Sequence, residues 1–127
     1  MKVQSLTRVL PYHTYISSLL FSWTNNGDNN IGTSDPFAVV TKVATEKGSK
    51  AEVLGKTEVI KNNLSPEWVK IFTLDYELGK TCKVAVTIFD EVRKSSNKSM
   101  GSAVFDIGEV LGARGSTKAR RVKGGGV

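Results

Sequence analysis

Apolar residues recur at every second position in several stretches of this chain, each bounded by clusters of Gly, Pro, Asn, Asp or Ser. A period of two puts alternate side chains on opposite faces of an extended backbone, so the pattern predicts short antiparallel strands. In KVAVTIFD at 83–90, Val84, Val86 and Ile88 share one face, and Ala85, Thr87 and Phe89 share the other. Its β-branched majority favours extended backbone, which makes this stretch the natural central strand. In WVKIFTLDY at 68–76, Trp68, Lys70, Phe72, Leu74 and Tyr76 fall on one face, and the Trp, Phe and Leu side is expected to enter the core. Further strands are predicted at about 15–23, 37–44, 55–61 and 102–107, with helix expected only around Ile107 to Leu111. Turn-rich connections at 24–36, 46–52 and 90–101 separate them. Short strands joined by polar loops imply an all-β sandwich.

The length, 127 residues, suits one domain with one core. With 39% hydrophobic and 24% charged residues, the composition is that of a folded globular chain. Cys82 is the only cysteine, which excludes an internal disulfide and a multi-cysteine zinc site and fits a reducing, cytoplasmic compartment. The stretch ISSLLFSW at 16–23 follows Lys2 and Arg8, yet Pro11, His13 and two tyrosines interrupt a leader-like reading, and a strand is expected there. The net charge of +6 is unevenly placed. Residues 114–127 hold Arg114, Lys118, Arg120, Arg121 and Lys123 with no acid, which leaves 13 cations against 12 acids in the rest of the chain.

Four motifs then appear in order: GTSDPFAVV at 32–40, GKTEVIKNNLSPEW at 55–68, VTIFDE at 86–91 and MGSAVFDIGEV at 100–110. Together they resemble the C2 domain family, and the wording TEVIKNNLSPEW is similar to the C2 domains of copines. The resemblance implies an all-β, antiparallel Greek-key β-sandwich of about eight strands covering 15–127. Residues 1–14 are then an N-terminal extension or an extra strand. In similar domains a glycine pair such as Gly125-Gly126 precedes a closing strand, so this sequence is expected to be truncated and to lack its last strand. An open sheet edge would follow, unless residues 2–10 fill it.

The resemblance also implies a calcium cup where the loop before SDPF meets the loop after FDE. Calcium takes six to eight oxygens, mostly carboxylate. The matching positions here are Asn29, Asp35, Asp90, Val92 and Lys98, of which two are aspartate. Val92 supplies no side-chain oxygen. Glu91 is expected to point away, while Asp28 is a substitute for Asn29 if the loop shifts. An ammonium about 4 Å from a divalent ion costs roughly 8 kcal/mol at an effective dielectric near 20, so Lys98 opposes the ion or replaces it by pairing with Asp35 or Asp90. Calcium is therefore expected to act weakly or not at all, and no other cofactor is expected.

The family resemblance further implies a basic strand surface for anionic headgroups. Lys42, Lys56 and Lys61 are candidates on the body, although Glu58 dilutes the patch around Lys56. Lys118, Arg120, Arg121 and Lys123 are candidates near the C-terminus, at about 1 kcal/mol each near an anionic leaflet. The expected function is a module peripheral to membranes that binds anionic phospholipid. The alternative is docking of a protein partner on the sandwich or its open edge. Nucleic acid is not an expected partner, since the basic segment lacks interleaved aromatics. No GxxxxGK[ST], G-x-S-x-G or HExxH motif occurs and His13 stands alone, so no enzymatic activity is expected.

Overall fold

The structure is a computed structural model and describes residues 1–10, 14–24, 34–44, 48–77, 80–92, 97–112, 117–119 and 123–124. The alternating stretches form β1 (Lys2–Leu10), β2 (Thr14–Ser22), β3 (Pro36–Lys42), β4 (Glu52–Lys56), β5 (Phe72–Glu77), β6 (Lys83–Asp90) and β7 (Lys98–Asp106). One short helix, α1 (Ile107–Gly112), is followed by β8 (Thr117–Ala119) and β9 (Lys123–Gly124). Two antiparallel sheets result, one ordered β5-β2-β1-β8 and the other β4-β3-β6-β7-β9. The chain crosses between sheets after β2, β4, β5, β7 and β8, which gives the expected Greek-key sandwich.

The core lies between the sheets, where the predicted faces meet. Val84, Val86 and Ile88 of β6 are fully buried against Leu19 and Phe21 of β2, Phe72, Leu74 and Tyr76 of β5, and Ala103 and Phe105 of β7, all members of one hydrophobic cluster. Ile107 and Val110 of α1 complete it. Residues Lys2–Leu10 form an inner strand, paired on one side with β2 and on the other with β8. The placement of residues after Gly124 lies outside the described residues.

Two predicted strands are shorter than their patterns. The 68–71 half of WVKIFTLDY is not strand: Trp68 is buried, but Val69 is 77% and Ile71 55% exposed, and Lys70 is exposed too. Its backbone is held another way, because the Glu58 carboxylate accepts the N–H groups of Val69 (2.7 Å) and Lys70 (3.3 Å). Likewise the 55–61 stretch leaves the regular ladder after Lys56. Beyond it, Thr57 N–H bonds Ala38 C=O, Ile60 N–H bonds Pro36 C=O, and Asn63 N–H bonds Ser34 C=O. Three residues advance on this segment for every two on β3, so alternation is lost while contact with β3 persists. A turn at Lys61 and Asn62 (φ 52°) follows, in the left-handed region that asparagine tolerates better than most residues. Asn63 Oδ1 then accepts the Ser65 N–H at 2.7 Å.

The pivot of that departure is Thr57. Its buried hydroxyl accepts the Ala38 N–H at 2.8 Å and donates to the Glu58 carbonyl at 3.0 Å. Thr57→Val should leave the Ala38 donor unpaired inside the protein and cost about 1–3 kcal/mol. A urea titration should show this as a lower midpoint with an unchanged slope.

Candidate functional site

The first residues of β3, the last of β6 and the turn at 61–62 converge at one end of the sandwich. Pro36 is the ladder partner of Asp90, which places Asp35 beside the β6 terminus. The Asp35 N–H donates to Asp90 Oδ1 at 2.9 Å, and the Glu91 N–H donates to the Asp35 carbonyl at 3.1 Å. Asp35 Oδ1 accepts the Asn62 N–H at 2.9 Å. Lys61 reaches into the same place: its ammonium lies 3.1 Å from Glu91 Oε1 and 3.7 Å from Asp35 Oδ2. Glu91 thus turns its carboxylate toward this cluster rather than away from it.

Of the five cup positions, Asp35 and Asp90 come together and Asn29 lies outside the described residues. Val92 is exposed at the rim, and its N–H donates to Asn97 Oδ1 at 3.1 Å. Lys98 is the ladder partner of Asp90, yet its ammonium makes no ion pair among the described residues. The lysine that meets the acids is Lys61. Sequence reasoning missed this because the contact depends on the slipped register of 57–63, for which the sequence carries no periodic signal. As arranged, the described residues do not fit calcium, which takes six to eight oxygens. Asp35 and Glu91 are engaged by an ammonium, Val92 contributes no side-chain oxygen, and no group of three or more His, Cys, Asp or Glu side chains surrounds a common point among the described residues.

The candidate basic residues do not form one surface. Lys56 stands on the outer face of the five-stranded sheet, with its ammonium 6.0 Å from the centroid of the Phe37 ring. Phe37 itself stacks on Phe89 (5.6 Å between centroids, 24° between planes), which explains how an outward residue is 7% exposed. Glu58 does not neutralise Lys56, because both carboxylate oxygens are turned onto the 69–70 backbone. Lys42 lies at the far end of β3, where it lines a cleft of about 480 Å³ with Tyr76 and Cys82. Lys118 lies in β8, opposite Val3 of the four-stranded sheet, whereas Lys123 lies in β9, opposite Ser102 of the five-stranded sheet. Arg120 and Arg121 lie outside the described residues.

A two-sheet Greek-key arrangement that brings the start of β3, the end of β6 and the 61–62 turn to one end defines a β-sandwich domain. A C2 domain family model matches residues 22–122, most of the chain, and this chain belongs to the C2 domain family. C2 domains are modules that bind membrane lipids and proteins. Among solved structures, a C2 domain of RIM from Drosophila is 19% identical with a TM-score of 0.56, covering 83% of this chain and 84% of that one. The structure of BON1-C2B is 23% identical with a TM-score of 0.58, covering 76% of this chain and 67% of its own. Human GIVD cytosolic phospholipase A2, solved in complex with methyl gamma-linolenyl fluorophosphonate, is 16% identical over 85% of this chain with a TM-score of 0.59, but the match spans 15% of the enzyme. At these identities the likeness is one of fold.

In the cleft beyond Lys42, burial pushes the Cys82 thiol above its ordinary value of 9.0, with Lys42 pulling it down and Asp106 adding to the rise. The folded protein therefore holds the thiol proton more tightly than the unfolded chain does. This contribution is complete below about 9 and is lost as pH climbs through the raised folded value. Chemical denaturation followed above pH 9 should show wild-type stability falling more steeply than that of Cys82→Ala.

Proposed function

We propose that this chain is a peripheral membrane module that associates with anionic phospholipid through basic side chains, with calcium contributing weakly or not at all. The observation that carries this reading is Lys56. Its ammonium is held over the Phe37 ring on the outer face of the five-stranded sheet, with no carboxylate partner among the described residues. Cation–π contact and the Phe37–Phe89 stack restrict the side chain before any headgroup arrives, which lowers the ordering cost of binding. Lys83 is exposed on β6 and falls on the same face as Ala85, Thr87 and Phe89, adding a second cation there.

Lys42 opens onto the cleft at the other end, and Lys61 is engaged by acids, so neither joins Lys56 in this role. Lys118 and Lys123, with Arg120 and Arg121, would add long-range attraction near an anionic leaflet rather than a shaped site. Binding of this kind is weak for a single module and gains strength when joined to another, as in tandem arrangements. Among the described residues no helix is long and apolar enough to cross a membrane, and a peripheral, cytoplasmic role suits the lone buried thiol.

A second reading has one observation behind it. Strand β4 is the outermost of its sheet and Val53 on it is 67% exposed, which suits addition of a partner strand. The two readings differ in salt response. Co-sedimentation with phosphatidylserine vesicles should be lost as salt rises, and Lys56→Ala should weaken the partition coefficient about fivefold, equivalent to about 1 kcal/mol for one lysine near the surface. Absence of wild-type binding at low salt would remove the lipid reading. Equal competition by duplex DNA would show attraction by charge alone.

A further inference from the structure

The misfit between the cup and calcium has a positive content, and it lies in Lys61. The segments that would be drawn together by an ion are already joined without one. The Asp35 N–H holds Asp90, the Glu91 N–H holds the Asp35 carbonyl, and the Asn62 N–H holds Asp35 Oδ1. What these bonds do not supply is positive charge against the carboxylates gathered there. Lys61 supplies it, with one ammonium placed between Glu91 Oε1 at 3.1 Å and Asp35 Oδ2 at 3.7 Å.

We infer that the Lys61 ammonium is a built-in counter-cation of the cup, occupying the electrostatic role of a divalent ion and competing with one. The inference rests on the weak-calcium reading above and deepens it by naming the group responsible. Three features support the assignment. Lys61 is carried in by main-chain bonds on both sides, Ile60 to Pro36 and Asn63 to Ser34, so its Cα is fixed even though its side chain is 54% exposed. The acids come from two separate segments, the start of β3 and the end of β6, so the ammonium ties loops rather than neighbours in sequence. The other lysine at this end, Lys98, makes no ion pair among the described residues and leaves the role to Lys61.

An ion that uses Asp35 Oδ2 or Glu91 Oε1 must first displace the ammonium or accept a like charge at close range. Lys61 thus lowers calcium affinity while keeping the loops together in its absence. Removing the charge should have opposite effects on these two properties, which loss of an ordinary surface lysine would not produce.

The test uses the chain in solution without lipid, so its outcome is independent of whether vesicles bind. Calcium affinity is read by isothermal titration calorimetry for wild type, Lys61→Met and Lys61→Arg. Lys61→Met should bind calcium at least about tenfold more tightly than wild type, while Lys61→Arg, which retains the charge, should match wild type. Equal affinity in wild type and Lys61→Met would overturn the inference. If Lys61→Met does not fold, Lys61→Gln, which removes the charge and keeps a polar side chain at this exposed position, takes its place with the same two outcomes: tighter calcium binding than wild type supports the inference and equal affinity overturns it.

Discussion

The residues from Ser34 to Ala38 are hydrogen-bonded along both backbone edges, and the functional end of the molecule depends on that constraint. On one side Pro36 to Ala38 pair with β6 in regular register, which sets Asp35 beside Asp90. On the other side Thr57, Ile60 and Asn63 bond Ala38, Pro36 and Ser34 in a slipping register. A regular strand on that side would have alternated Lys61 toward or away from the sheet. The slip instead delivers it to the end of the strand, where Asp35 and Glu91 lie. Trp68 secures the same place from beneath, burying its indole and donating its Nε1–H to the Pro36 carbonyl at 3.3 Å.

Charge distribution follows from this geometry. One resident ammonium offsets part of the negative charge of the Asp35, Asp90 and Glu91 carboxylates, so their attraction for a divalent ion is reduced and their repulsion of an anionic surface is reduced with it. The same substitution of internal for external partners occurs at Glu58. By capping the Val69 and Lys70 amides it bridges the segment after β4 to the segment before β5, and it leaves Lys56 unneutralised on the sheet face. Each exposed ion pair contributes little to stability alone, on the order of 0–1 kcal/mol. Their effect is to decide which charges remain available to a partner.

Much of the fold was legible in the sequence because strand alternation reports burial directly. Val84, Val86 and Ile88 are buried as their spacing requires, and Ala103, Phe105 and Ile107 separate from Val104 and Asp106 as predicted. Legibility ended where alternation did. Residues 57–71 contain enough apolar side chains to suggest two longer strands, yet side-chain acceptors on Thr57 and Glu58 satisfy main-chain donors and let the backbone leave the ladder. Of the cup positions, Asp35 and Asp90 lie side by side, joined by the Asp35 N–H bond to Asp90 Oδ1. The identity of the lysine beside them was not legible, because Lys98 is near in ladder position whereas Lys61 is near through the slipped segment. The C-terminal cations are shared between the two sheets, since Lys118 lies in β8 and Lys123 in β9.

A cup closed by its own lysine and a lysine held free on the sheet face together imply membrane association that does not wait for calcium. The most direct measurement is the fraction of wild-type protein co-sedimenting with phosphatidylserine vesicles at low salt, in EGTA and in millimolar calcium. Equal bound fractions in the two conditions are predicted. Binding that appears only when calcium is added would contradict the reading of Lys61 and Lys56 alike.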